Sequence, residues 1–363
     1  MLCGLAAAAG TALATTDVWT VQSTPDRNGA AQLDAVSCQS STACVAVGGS
    51  QSGFGPKVGK TLTEAWNGQS WIQSNSSLGS LAGVSCWASN GCVAAGSTDH
   101  NEPLAQIWNG NTWTTLRPAK THTGGGYFEA VSCWSKTGCI AVGYDWNHTR
   151  ASKALAEVWN GREWKLLTTP PIAESDLHVV SCWSASGCIA VGNDYNPTDA
   201  GLAEIWDGHS WKAQKTPSPS DDYMSAVSCW QPGRCMAVGS GTVHHKGRVN
   251  TNPPIAEVWN GRSWEVKGRI PSTGGFTAVS CLSQSRCIAV GQGPWPDQPA
   301  AALWNGQSWQ SSPTPKEPDY GFLNGVSCWS GTDCTAVGVH DLGVDTNRPL
   351  AETLVSAAAQ GGS

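Results

Sequence analysis

Fourteen of the fifteen cysteines stand in pairs six positions apart: Cys38 with Cys44, Cys86 with Cys92, Cys133 with Cys139, Cys182 with Cys188, Cys229 with Cys235, Cys281 with Cys287 and Cys328 with Cys334. Paired thiols can bind metal, exchange electrons or cross-link. A zinc site needs four ligands converging on one ion, and pairs spread evenly along a chain do not converge. Seven near-identical copies also suit staples better than one redox centre. Each pair brackets a short turn between apolar runs, as in AVSCWSKTGCIAVG (130–143). Two adjacent antiparallel strands would bring such Cβ atoms within bonding reach. The spacing therefore predicts seven disulfides, one per repeat, and no metal or cofactor.

The other reactive side chains collect where the repeats differ. All five tyrosines (Tyr127, Tyr144, Tyr195, Tyr223, Tyr320) and seven of the eight histidines, His244 among them, fall between the repeated phrases. Two residues before the Val of each VSC or its equivalent stand Asp34, Ala82, Glu129, His178, Ser225, Thr277 and Asn324. Each follows an apolar residue: Leu33, Leu81, Phe128, Leu177, Met224, Phe276 and Leu323. The apolar series is expected to pack between repeats. The polar series is expected to ring a common mouth, with Glu129 and His178 as neighbours; a structural role for that ring stands beside a binding one. Tyr127, Tyr223, Tyr320, Trp146 and Trp295 are candidates to stack on sugar rings.

Enzyme chemistry has weaker support. A glycosidase needs two carboxyl groups at a set separation, and Glu129, Asp145 and Asp222 carry no motif. Tyr127, His178 and His244 only loosely suggest a copper site. There is no His-x-His, calcium loop or phosphate loop, so the question of an activity stays open.

Composition narrows the partners. Charged residues make up 13% of the chain and the formal net charge is -6, which leaves no basic footprint for nucleic acid. No run reaches the ~18 apolar residues that span a bilayer. Residues 1–14, MLCGLAAAAGTALA, end in an A-x-A pattern and read as a signal peptide without a basic start. Together with the cysteines this predicts secretion. Residues 357–363 are expected to be a disordered tail.

The elements that would position these side chains follow from the period. The first cysteines of the pairs are separated by 48, 47, 49, 47, 52 and 47 residues, giving seven units. Each unit reads as four short strands: a is AVSC, a five-residue turn follows, b is CIAVG, c is AEVWN, and d begins at SW. Asn-Gly in WNGRSW (259–264) predicts a two-residue hairpin turn. That turn would pair Trp259 with Arg262, and Glu257, Trp259 and Trp264 would share one sheet face. Twenty tryptophans reflect copying of this motif, and they are expected to fill space between units. The last unit ends on a c-like LAETLV (350–355). TTDVWTVQSTP (15–25), near the N-terminus, supplies the missing strand d. Closing a ring in this way removes exposed sheet edges. The fold class is all-β: a seven-bladed β-propeller over residues 15–356, four antiparallel strands per blade, with three-plus-one closure.

AVGGS followed by EAWNGQSW in the first unit resembles the kelch pattern, a strand ending in Gly-Gly and then spaced aromatics. Only Gly48-Gly49 is a true doublet, and the aromatics are closer together than in kelch repeats. The GxSW ending resembles the tail of a sialidase-type Asp-box, with Trp where the Asp would be. These resemblances imply architecture and not activity. The function expected is binding by a monomer, of a glycan or an extracellular protein, through the face bearing the b–c and d–a connections.

Overall fold

A computed structural model describes residues 17–25, 30–51, 59–74, 77–121, 125–146, 152–195, 200–217, 222–241, 243–245, 248–250, 254–271, 274–293, 298–317, 320–331, 333–341 and 347–356. The leader, the C-terminal tail and Trp295 lie outside these residues.

Seven four-stranded antiparallel sheets form a propeller. In the third blade the strands are Gly126–Ser135, Gly138–Trp146, Ser152–Trp159 and Trp164–Leu166, paired in that order. In the seventh blade the outermost strand is Asp17–Gln22, paired with Arg348–Ser356. The N-terminal strand therefore closes the ring. The fifth blade carries an extra hairpin, Val243–His245 with Arg248–Asn250, between its second and third strands.

Strands a and b are longer than the phrase AVSC implies. Strand a starts several residues earlier, strand b runs on past its Gly, and the two meet in a two-residue turn, Ser41-Thr42 in the first blade. As a result Tyr127, Tyr144, Trp146, Tyr223 and Tyr320 sit on strand ends and not in loops. A β-bulge interrupts strand a of every blade, between Leu33 and Ala35 in the first and Phe128 and Ala130 in the third. The same slip recurs in the other five. The extra residue in each blade is the polar-series residue: Asp34, Ala82, Glu129, His178, Ser225, Thr277 or Asn324. A bulge re-aims a side chain.

The bulge also explains the Gly that ends each AVG. A Cβ on Gly48 would lie 2.0 Å from the Gln32 carbonyl oxygen, and one on Gly143 would lie 1.9 Å from that of Tyr127. Only a residue without a side chain lets the two backbones come that close.

All seven disulfides form as expected, each joining strands a and b with Cα atoms 3.9–4.0 Å apart. The c–d turn differs from expectation. Trp259 pairs directly with Trp264, so Asn260 to Ser263 form a four-residue loop. The Asn260 side chain drives this, because its Oδ1 accepts the amides of Arg262 and Ser263 at 2.9 Å. Such an Asx turn competes with the tight hairpin turn; Gly261 takes φ +91°. Glu257, Trp259 and Trp264 still share one face and are all buried. The Trp pairs of the six hairpins lie 5.4–5.7 Å apart, ring centre to ring centre. Most of these indoles are buried between blades, so the repeated tryptophans belong to the frame.

The apolar series is also core: Leu33, Leu81, Phe128, Leu177, Met224, Phe276 and Leu323 are at most 2% exposed. Phe128 packs on Trp164 in its own blade and against Val93 and Ala105 of the blade before.

Candidate functional site: the channel mouth and the variable face

The seven bulges bring their residues together as expected. Asp34, Ala82, Glu129, His178, Ser225, Thr277 and Asn324 line one cavity of about 340 Å³ on the propeller axis, above a ring of valines that includes Val36, Val131 and Val279. Part of the ring is structural. Thr277 donates to the Leu323 carbonyl of the next blade at 2.7 Å, and Asn324 donates to the Leu33 carbonyl at 3.0 Å. His178 makes the same bond to the Met224 carbonyl.

Blades 1 to 4 hold the charged part of the mouth. Burial, with a smaller push from Glu129, raises the Asp34 carboxyl to about 7, although the bond from Gln32 Nε2 (2.6 Å) opposes the shift. Burial likewise raises Glu129; the His178 charge opposes this and Asp176 adds to it. Burial alone would lower His178. The bond to Asp176 (3.1 Å), the charges of Asp176 and Glu129 and the Met224 carbonyl outweigh it and hold the imidazole above its ordinary range. Glu129 and His178 therefore sense each other across neighbouring blades, as the sequence suggested, but His178 Nε2 donates its hydrogen bond to Asp176.

Asp176 is an anchor that sequence reasoning missed. It is 7% exposed, and its oxygens accept the Tyr195 hydroxyl at 2.6 Å and the Asn193 amide at 3.1 Å. Burial, then the bond to Asp176, pushes Tyr195 up to about 12. A signal for it existed. The position just before the apolar series reads Gln32, Ser80, Tyr127, Asp176, Tyr223, Gly275 and Phe322. Tyr127 and Tyr223 were singled out there, and Gln32 and Asp176 share their register.

Beside the mouth, Tyr127, Tyr144 and Trp146 form a half-buried aromatic cluster with ring centres 4.8–5.7 Å apart. The Tyr127 hydroxyl donates to Asn101 Oδ1 at 2.6 Å, which ties the cluster to the second blade. Burial and the nearby Glu129 push Tyr144 up to about 12, so it stays a neutral donor. Tyr223 lies near Tyr195 on the next blades round. Tyr320 stands apart on the seventh blade, 42% exposed. His244 belongs to the fifth-blade hairpin, paired with Val249. The fourteen paired cysteines are all oxidised, and no cluster of three or more metal-ligating side chains occurs among the described residues.

No family model matches the sequence, and no curated protein matches it either. Solved structures do. "YCF48 bound to D1 peptide" superposes with a TM-score of 0.60 at 12% identity, covering 93% of this chain and 97% of that one. "Crystal structure of RRP9 WD40 repeats" gives 0.60 at 11%, covering 94% and 98%. The WD40 domain of Neurospora crassa Pan2 gives 0.57 at 11%, covering 94% and 96%. At such identities the likeness shows the propeller fold. The kelch and Asp-box resemblances of single motifs go no further than that architecture.

Proposed function

We propose that this protein is a secreted, monomeric binding module that holds a glycan on its variable face. The observation that carries the reading is the Tyr127–Tyr144–Trp146 cluster, half-exposed and beside the mixed acid and amide groups of the channel mouth. A sugar offers apolar ring faces and many hydroxyls, and a site for it combines a few aromatic walls with placed polar groups. The opposite face repeats one hairpin around the ring and buries most of its indoles. Variation confined to one face of a rigid scaffold is where binding residues gather. Seven disulfides support an extracellular setting. Two tests apply: an array of plant, fungal and bacterial oligosaccharides probed with the oxidised protein, and light scattering for the monomer.

A second reading, docking of an extended peptide or protein, is favoured by the similar propeller YCF48, which is bound to the D1 peptide. It predicts capture of a polypeptide by the same face and a blank glycan array.

A further inference from the structure

A second cavity, of about 390 Å³, opens on the variable face between the first and second blades, close to the channel mouth. Nothing in the sequence pointed to it. Its floor is backbone and small side chains: Ala30, Ala31, Gly49, Gly59 and Gly79. Two of these glycines let neighbouring strands approach closely around it. A Cβ on Gly49 would lie 2.6 Å from the Ser80 hydroxyl, and one on Gly79 would lie 2.3 Å from the Ser97 carbonyl oxygen. Gly79 also takes φ +119°, which side chains rarely adopt.

The walls are polar: Gln32, Ser80, Ser97, Asp99, Asn101 and Asn347. Several of their groups are held in place by one bond and offer another. Gln32 Nε2 is fixed on Asp34, which leaves Oε1 as an acceptor. Asn101 Oδ1 is fixed by the Tyr127 hydroxyl, which leaves the side-chain amide as a donor. One Asp99 oxygen holds His100 Nδ1 at 2.9 Å. Ser80 and Ser97 make no side-chain hydrogen bond among the described residues, and neither hydroxyl is a buried orphan. Such alternating donors and acceptors match a ligand that both gives and takes hydrogen bonds at each position. A polyol does so; an alkyl or aryl group does not.

The charge narrows the class. Asp99 is an acid in the wall, and no Lys or Arg lines the cavity among the described residues. A carboxylated or phosphorylated sugar would meet uncompensated negative charge. The cavity also lies within the 300–1,000 Å³ range of small-ligand pockets, with far more room than a single water needs.

From this geometry we infer that the cavity between the first two blades is the primary subsite for one neutral sugar ring, with Tyr127 at its border. The inference rests on the glycan reading and says where on the face, and for which charge class, that reading applies. The Asn101–Tyr127 bond then joins the subsite to the aromatic cluster, over which the next sugar unit extends.

Saturation-transfer NMR with the methyl glycosides of glucose, galactose, mannose and N-acetylglucosamine, and with methyl glucuronide, tests it. At least one neutral glycoside is expected to show transfer, and the glucuronide none. Ser80→Trp, which fills the cavity from an exposed position, is expected to abolish the transfer while leaving the thermal melt unchanged. If that variant does not fold, Gln32→Ala combined with Ser97→Ala removes two wall groups without adding bulk, and a loss of at least tenfold in affinity is expected. Unchanged binding in a folded cavity variant overturns the assignment while the glycan reading stands. Stronger binding of the glucuronide overturns the charge class. No transfer from any glycoside, with a blank oligosaccharide array, removes the glycan reading and this subsite together.

Discussion

The Ser327 hydroxyl accepts a hydrogen bond from the Cys38 amide at 2.9 Å, across 289 positions of sequence, and so ties the last blade to the first. The same bond recurs at every other blade junction, where Ser37, Ser85, Ser132, Ser181, Ser228 and Ser280 accept the amides of Cys86, Cys133, Cys182, Cys229, Cys281 and Cys328 at 2.9–3.1 Å. The repeated VSC is therefore two devices in adjacent residues. The cysteine staples strands within a blade, and the serine before it latches that blade to the next.

Removing one latch should cost what a partly buried amide loses when its partner goes, about 1–2 kcal/mol. Ser132→Ala is expected to destabilise by that amount in denaturant melts. Ser327→Ala should cost as much, because the closing junction has the same geometry as the others. A much larger loss at Ser327 would mean that closure of the ring, and not the local bond, is the weak point.

The bulge that aims Glu129 into the channel depends on Gly143. Gly143→Ala places a methyl group against the Tyr127 carbonyl, and the backbone has to move. We expect a loss of about 1–3 kcal/mol in denaturant melts, with chemical-shift changes at Tyr127 and Glu129. Shifts limited to residues next to position 143 in sequence would contradict this account of the repeated Gly.

Stability should fall as pH rises. Burial raises the Glu204 and Glu352 carboxyls to about 8 and those of Glu157 and Asp34 to about 7. A carboxyl raised in the folded state binds its proton more tightly there than in the unfolded chain. Its favourable contribution is complete below the ordinary carboxylate range and is lost as pH climbs through the raised value. Thermal melts should therefore be highest near pH 4–5 and decline towards pH 8. Local structure shows why these acids differ. Glu157 accepts the Ala119 amide at 2.8 Å, which opposes the shift, whereas burial acts on Glu204 with no such bond against it. Glu204→Gln should flatten the decline, and Gln106 already occupies that position in the second blade, donating to Ser77 at 2.8 Å. A melt temperature that rises from pH 5 to 8 would contradict the assignment.

Period and cysteine spacing made the blades, the staples and the closing strand legible, because each is a long-range consequence of a copied phrase. The polar series was legible as a row, since it sits at one fixed offset from VSC. Its bulge was not, because a one-residue slip depends on the partner strand. The Asn-Gly hairpin was misread because Asn260 caps its own loop, a local bond that outweighs the dipeptide's usual preference. Asp176 and Tyr195 come together only across paired strands. The cavity between the first two blades is walled by serines and floored by glycines, residues whose sequence signal is silence.

The central claim, glycan binding on the variable face, is tested most directly by calorimetric titration of wild type and Trp146→Ala with an oligosaccharide selected on the array. The account predicts saturable binding at a stoichiometry near one, weakened about tenfold, or 1.4 kcal/mol, in Trp146→Ala. Binding at several equivalent sites that Trp146→Ala leaves unchanged would move the function to the repeated face, and no binding at all would contradict the claim outright.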